Sequence, residues 1–320
     1  MIPTRDRQRD LAACLAAVRT AVARSGRTVE IIVVDDGSRD GTDGMIRALA
    51  RRPGWTLRLV RHAESRGPAA ARNAGVRAAR AATLVFTDSD CLPSPGWLRA
   101  LLAGLQASPE LAAVEGRVIP RPAPPHDPYT QAVQNARGGR WLTCNLAVRR
   151  KAFLRAGGFD ERYPLPVRED TDFAFALLTS GARIGFVPGA VVVHPIRRGG
   201  PGRFLREARQ AVTEGLLFRK YPRLYLTRLK WIDGWAIPAY YLAPYAGVVG
   251  IIAGPHRAAA LILWAAGTAT IVAAWCRRTR WSLRLLPALS AEAALVPFVR
   301  LGWLAWGAAR YALARRRPAR

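Results

Sequence analysis

Glu30-Ile31-Ile32-Val33-Val34-Asp35-Asp36-Gly37-Ser38 is the stretch that decides the fold. Four β-branched residues follow one another without alternation and then stop in a polar turn. A strand apolar on both faces belongs to a sheet covered on both faces, as parallel sheets are. Toward the N-terminus, Leu11, Leu15 and Val18 recur at helical spacing after a loop over Thr4–Arg9. In the other direction the pattern predicts a helix over Thr42–Arg51, a strand over Leu57–Val60, a helix over Pro68–Ala81 and a strand over Thr83–Thr87. Strand and helix alternate, so the expected class is α/β with a mostly parallel central sheet. Ligands of such sheets bind at the carboxyl ends of the strands. Asp35-Asp36 and Asp88-Ser89-Asp90 both fall there.

After Pro120 the rhythm loosens into a proline-rich connector, RPAPPHDP (121–128), ahead of a second region from Tyr129 to about Ile196. No internal repeat is visible. Beyond Arg223 the composition changes. Trp235–Gly254 is uncharged, and a helix of that length crosses about 30 Å of hydrocarbon. Ala258–Cys276 is a second uncharged stretch, separated from the first by Pro255-His256-Arg257, and the pair is expected to form a membrane hairpin. Arg277 and its basic neighbours after the second stretch would be held inside. Residues 285–314 are apolar and tryptophan-rich but carry Glu292, Arg300 and Arg310, so they read either as an interfacial helix or as a third span.

The formal charge of the 320-residue chain is +27, from 49 basic and 22 acidic residues, and only Lys151, Lys220 and Lys230 are lysine. Arginines interleaved with apolar runs suit a membrane surface better than a nucleic-acid groove. Cys14, Cys91, Cys144 and Cys276 lie far apart with no CxxC, which argues against a disulfide framework or zinc cluster. No secretory signal opens the chain, so its polar part is expected in the cytosol with the protein at the cell membrane.

Asp88 and Asp90 flank one residue at a strand end, which places both carboxylates on one side. Two hard oxygen ligands there suit a divalent cation, Mg2+ or Mn2+, that also bridges diphosphate oxygens. Each acid also has a plainer reading. Asp36 serves as a turn former with Gly37, and Glu169, Asp170 and Asp172 as first-turn acids of a helix. His194 reads equally as a structural histidine, and Arg72 and Asn73 read either as phosphate contacts or, in preference, as residues that cap and pack their helix.

Read together, PTRDR, IIVVDDGSRDGT, RGPAAARNAG, VFTDSD, GGFDE, REDTDF and VVVHP stand in an order that resembles the inverting glycosyltransferase family two, of GT-A fold, over residues 2–215. The resemblance implies that Thr4, Asp36 and Asp88 hold the nucleotide, with Asp36 accepting from the base. It implies that Asp90 and His194 hold the cation and that Asp170 is the general base. Asn145, Glu169 and the Gly157–Asp160 turn would lie on the acceptor side. Residues 1–222 then form the catalytic domain, with nucleotide binding in 1–120 and the acceptor in 121–222. Residues 223–320 form the anchoring helices.

Two departures from the family pattern stand out. Only Met1 and Ile2 precede Pro3 where a longer buried strand is expected, so either the start lies upstream or the sheet is short there. The QxxRW segment of processive synthases is absent, which favours transfer of single sugars. The expected activity is metal-dependent transfer from a nucleotide sugar to a lipid-linked or envelope glycan acceptor, with membrane lipids as partners and no nucleic acid. Nucleotidyl transfer, a basic nucleic-acid-binding protein and an inactive membrane scaffold are the alternatives.

Overall fold

The computed structural model describes residues 1–123, 126–229, 241–277 and 279–312. It divides into two compact units.

One unit comprises Met1–Arg121 and Ala132–Pro195. In it β1 (Ile2–Thr4), β2 (Ile31–Asp35) and β3 (Leu57–Arg61) form a parallel sheet in the order β1-β2-β3. All five residues of β2 are buried, as a run without alternation requires. On one face Ile31 and Val33 pack with Leu11, Leu15 and Val18 of α1 (Gln8–Ser25) and with Ile46 of α2 (Thr42–Ala50). On the other face Ile32 and Val34 pack with Ala69, Ala71 and Ala74 of α3 (Pro68–Ala78).

β1 also meets β4 (Thr83–Phe86). The Met1 ammonium donates to Val85 O at 2.9 Å, and Thr87 N donates to Met1 O at 3.2 Å. That alternation is the ladder of a parallel pair, so β1, β2 and β4 all end on the same rim. Burial lowers the pKa of the Met1 ammonium to about 6. Beside it lies a cavity of about 310 Å³ lined by Val29, Ile31, Thr83, Val85 and Leu98.

The second sheet has the order β4-β7-β6-β8-β5, adding β5 (Leu92–Pro93), β6 (Leu111–Arg121), β7 (Leu146–Arg149) and β8 (Arg183–Pro195). This second sheet is mixed. β6 and β8 are parallel, but β4–β7, β6–β7 and β5–β8 are antiparallel. The chain travels from β6 to β7 through residues 122–145 instead of a helical crossover, and so can return in the opposite sense. α4 (Trp97–Ala107) packs on β6 and β8, α5 (Arg150–Arg155) follows β7, and α6 (Glu169–Thr179) precedes β8.

The other unit comprises Pro122–Gln131 and Ile196–Arg316. It begins well before the composition shift at Arg223, because α7 (Arg203–Ala208) and α8 (Glu214–Lys220) pack on the last long helix. Of the first predicted span, 235–254, the part up to Tyr240 lies outside the described residues; the rest is α9 (Leu242–Ala253). The second predicted span is α10 (Arg257–Cys276), and 285–314 becomes α11 (Leu286–Arg310). α9 and α10 form a close hairpin in which Gly247 lies against Trp264 and Gly267 against Pro244, the small-residue contact typical of helices in lipid. Arg257–Cys276 and Leu283–Arg310 are long and apolar enough to cross a membrane, with mean hydropathy 1.8 and 1.4. α11 also carries polar ties. Glu292 accepts from Gly202 N at 2.6 Å and Phe204 N at 2.9 Å, and Arg300 lies 3.7 Å from Glu214.

Candidate active site

The loops that leave β1, β2 and β4 on the common rim carry the acids singled out in the sequence. Asp36, after β2, is anchored to β1 by its backbone N–H, which donates to Thr4 O at 2.9 Å. Its carboxylate is saturated. Oδ1 accepts from Arg66 N at 2.9 Å and lies 2.7 Å from His62 Nδ1. Oδ2 accepts from Ser65 Oγ at 2.7 Å and from Gly67 N at 2.9 Å. Burial alone would raise the Asp36 pKa; the donors from Arg66, His62, Ser65 and Gly67 outweigh it and hold the carboxyl below its usual value.

Arg72, on α3, ties two more acids together. It is buried and donates 2.9 Å bonds to Asp88 Oδ1 and to Glu169 Oε1 at the start of α6. Burial opposes its charge, but Asp88 and Glu169 more than compensate and raise its pKa. Glu169 moves the other way: burial and the neighbouring Asp170 push its pKa up to about 7 against the pull of Arg72. Asp170 is half-buried and its oxygen accepts from Thr171 N at 2.7 Å. Burial raises its pKa too, with Asp88 adding to the effect and Thr171, Arg72 and Arg168 opposing it. So Asp88, Glu169 and Asp170 converge around one guanidinium.

Asp90 lies two residues beyond Asp88 and is buried. Arg7, from the loop after β1, donates to its Oδ2. His194 Nε2 lies 4.0 Å from Oδ1. The other His194 nitrogen, Nδ1, is 2.8 Å from Pro195 O. A carbonyl can only accept, so Nδ1 is the donor there, and Nε2 is the nitrogen that faces Asp90. A carboxylate oxygen and an imidazole nitrogen held in this way fit a divalent cation.

The buried polar atoms without a hydrogen-bond partner among the described residues gather on this same rim. They include Thr4 Oγ1, Asp35 Oδ2, Arg72 Nε, Thr87 Oγ1 and Glu169 Oε2, with His126 Nε2 and Tyr129 hydroxyl elsewhere. Orphans are rare in folded interiors, where ordered water or a ligand supplies the missing partner; of these, Asp35 Oδ2 also lies 3.6 Å from Arg61 Nε.

Asn145 is the exception among the residues picked from the sequence. It is 0% exposed, and its amide is spent on Trp97 Nε1, Arg117 O and Ala190 O. It fastens the shift in register between β6 and β8 beside Gly116, so its amide is fully engaged inside the sheet. Asn73 holds the Gly157–Asp160 turn, exchanging bonds with Phe159 N and O. The sequence reading passed over Arg7, His62, Ser65 and Cys91, and weighed Arg72 chiefly as packing. Cys91 adjoins the DxD and could have been noticed there; His62 and Ser65 carried no local signal.

Two family descriptions match the chain: Glycosyl transferase family 2 over residues 1–158, and Glycosyl transferase family group 2 over residues 84–315, more than half of it. The chain belongs to glycosyltransferase family 2. Among the relatives of this family 2 chain, the pre-mycofactocin glycosyltransferase of Mycobacterium tuberculosis is 31% identical over 197 residues, 53% of this chain and 38% of the relative. The succinoglycan biosynthesis protein ExoO of Rhizobium meliloti is 38% identical over 99 residues, 31% of this chain and 28% of the relative. The chain thus aligns with only about a third of the length of these relatives. A mannosyltransferase from Pyrobaculum calidifontis, solved with GDP-Man and Mn2+, is 25% identical with a TM-score of 0.51, covering 98% of this chain and 86% of that one. The S. aureus protein TarS, solved with UDP-GlcNAc, has a TM-score of 0.53 at 14% identity, covering 98% and 91%, and shares the GT-A fold.

Proposed function

We propose that this family 2 chain transfers a single sugar from a nucleotide-diphosphate donor to a hydroxyl of a lipid-linked or membrane-proximal acceptor, with inversion at the anomeric carbon. The observation that carries this reading is the group of orphaned buried polar atoms from Thr4 to Glu169 on the rim where β1, β2 and β4 end.

In this reading Thr4, Asp36 and Asp88 hold the nucleoside end of the donor. Asp36 orders the loop before α3 and offers its acceptor edge to the base once His62 or Ser65 yields. Asp90 and His194 would hold the cation, which would supply positive charge to offset that of a departing diphosphate. Asp170 takes the proton of the acceptor hydroxyl, and its raised pKa brings a carboxylate nearer the basicity that this task needs. Glu169, bonded to Arg72, sits beside it as a positioning residue. Attack from the side opposite the leaving group gives inversion. The GDP-Man and Mn2+ bound by the Pyrobaculum relative support the donor class and the ion.

Residues 1–222 serve as the catalytic domain in this reading, with its nucleotide part in 1–120. Residues 223–320 attach the protein to the cell membrane from the cytosolic side through the α9–α10 hairpin. The buried Glu292 and the Arg300–Glu214 pair favour an interfacial α11, packed on α7 and α8, over a third span.

The test is release of nucleoside diphosphate from a panel of nucleotide sugars with Mn2+, comparing the wild-type chain with Asp90→Ala and Asp170→Asn. The expected result is loss of cation-dependent donor binding in the first variant, and donor binding without transfer in the second. Equal turnover by all three proteins would end the assignment.

A further inference from the structure

Cys91 follows the DxD directly, is fully buried, and points its sulfur at the same carboxylate oxygen that faces His194. Its Sγ is 3.9 Å from Asp90 Oδ1, His194 Nε2 is 4.0 Å from that oxygen, and the donor atoms of the three residues all lie within 4.8 Å of one another. Two donors on one tetrahedral zinc ion stand roughly 3.4–3.6 Å apart, so the trio needs only a small contraction to share an ion. The other Asp90 oxygen is held by Arg7, and the other His194 nitrogen by Pro195 O. Both ligands are therefore oriented from behind, as metal ligands usually are.

We propose that Cys91 is a third, sulfur-bearing ligand of the cation site, and that the resulting oxygen, nitrogen and sulfur set binds Zn2+-class ions far more tightly than Mn2+ or Mg2+. This rests on the cation-site part of the proposed function and adds to it the identity of the preferred ion. Carboxylate and water suit Mg2+ and Mn2+; thiolate and imidazole favour Zn2+ and Co2+. As the ion binds, the Cys91 S–H bond breaks, the proton passes to solvent, and the sulfur lone pair forms the metal–sulfur bond. No redox change is involved. Cys144 packs in the same buried cluster as Cys91, outside the ligand set.

The experiment is a Co2+ titration of the metal-stripped full chain in reducing buffer, followed by its near-ultraviolet absorption. A sulfur-to-cobalt charge-transfer band is expected in the wild type and in Cys144→Ser, and its absence in Cys91→Ser and Cys91→Ala. Competition should show Zn2+ displacing Co2+ at concentrations at least about a hundredfold lower than Mn2+, with that ratio falling about tenfold or more in Cys91→Ser. Thermal melts of the two Cys91 variants establish that each is folded. A wild-type chain that gives no band, or a band that survives both Cys91 substitutions, overturns the proposal. Sugar transfer with Mn2+ in a chain without the band would leave the proposed function standing alone. A Cys91-dependent band in a chain that transfers no sugar would do the reverse.

Discussion

Asp36 and the Glu169–Asp170 pair stand on the same unit, yet their surroundings push them in opposite directions. Asp36 is surrounded by donors, and its carboxyl is held below the usual range. Glu169 and Asp170 are pushed above it chiefly by burial, with Asp170 adding to the effect on Glu169 and Asp88 to that on Asp170. Carboxylate chemistry here is set by the balance between burial and the donors that oppose it, not by position at a strand end or helix start. A saturated acid shapes a loop, and an under-satisfied acid can exchange a proton.

The largest test of that contrast lies with the acid that faces His194. Asp90→Ala should lower transfer by at least about 10³-fold, and calorimetry should show donor binding no longer responding to Mn2+. Asp170→Asn should lower turnover by about 10²–10⁴-fold while donor affinity stays within about twofold, a split that a merely structural acid would not produce. Arg72→Leu leaves Asp88 and Glu169 close together without their shared cation; the unfolding free energy from urea titration should fall by about 3 kcal/mol. Asp36→Asn should raise the donor KM by about tenfold with turnover nearly intact, since it weakens the loop and spares the base.

The smallest effect is that of pH, and its sign separates the two acids. Asp170 must be ionised to act, so turnover should decline as pH falls through its raised pKa, in a pH–rate profile of the wild type. In stability the raised pair contributes most below the usual carboxylate range and loses that contribution as pH rises through the folded values. Asp36 contributes above its ordinary pKa and loses that contribution as pH falls through its lowered one. An Asp36→Asn chain should therefore lose part of its acid sensitivity, measured by melting temperature against pH.

Local pattern carried the first half of the fold well. β2 coincides with the β-branched run, and α1 buries the spaced leucines that announced it. The second sheet was harder to see. β6 reads LAAVEGRVIPR, with small residues and a buried Glu115 where a strand pattern would show β-branched ones. That glutamate is explained only by residues far along the chain, since it accepts from Trp141 N and Asn135 Nδ2 and so holds the loop before β7. At the site, the acids were legible because a strand end followed by DxD is a local signal. Their partners were not: Arg7 reaches Asp90 across 83 positions and Arg72 reaches Glu169 across 97. Asn145, which the resemblance put on the acceptor side, carries no local sign that its amide serves Arg117 O and Ala190 O inside the sheet.

The paired glycines of GGFDE have a spatial meaning that their chemistry hides. Gly157 and Gly158 both hold left-handed backbone angles, and a Cβ on Gly158 would come within 2.9 Å of Asn73 Oδ1 and 3.1 Å of the Phe153 ring. A single added methyl there would evict the amide that clasps Phe159, and helix α3 would lose its grip on the turn while every acid stayed in place. The turn is a latch, and its bare α-carbons are the clearance that lets it shut.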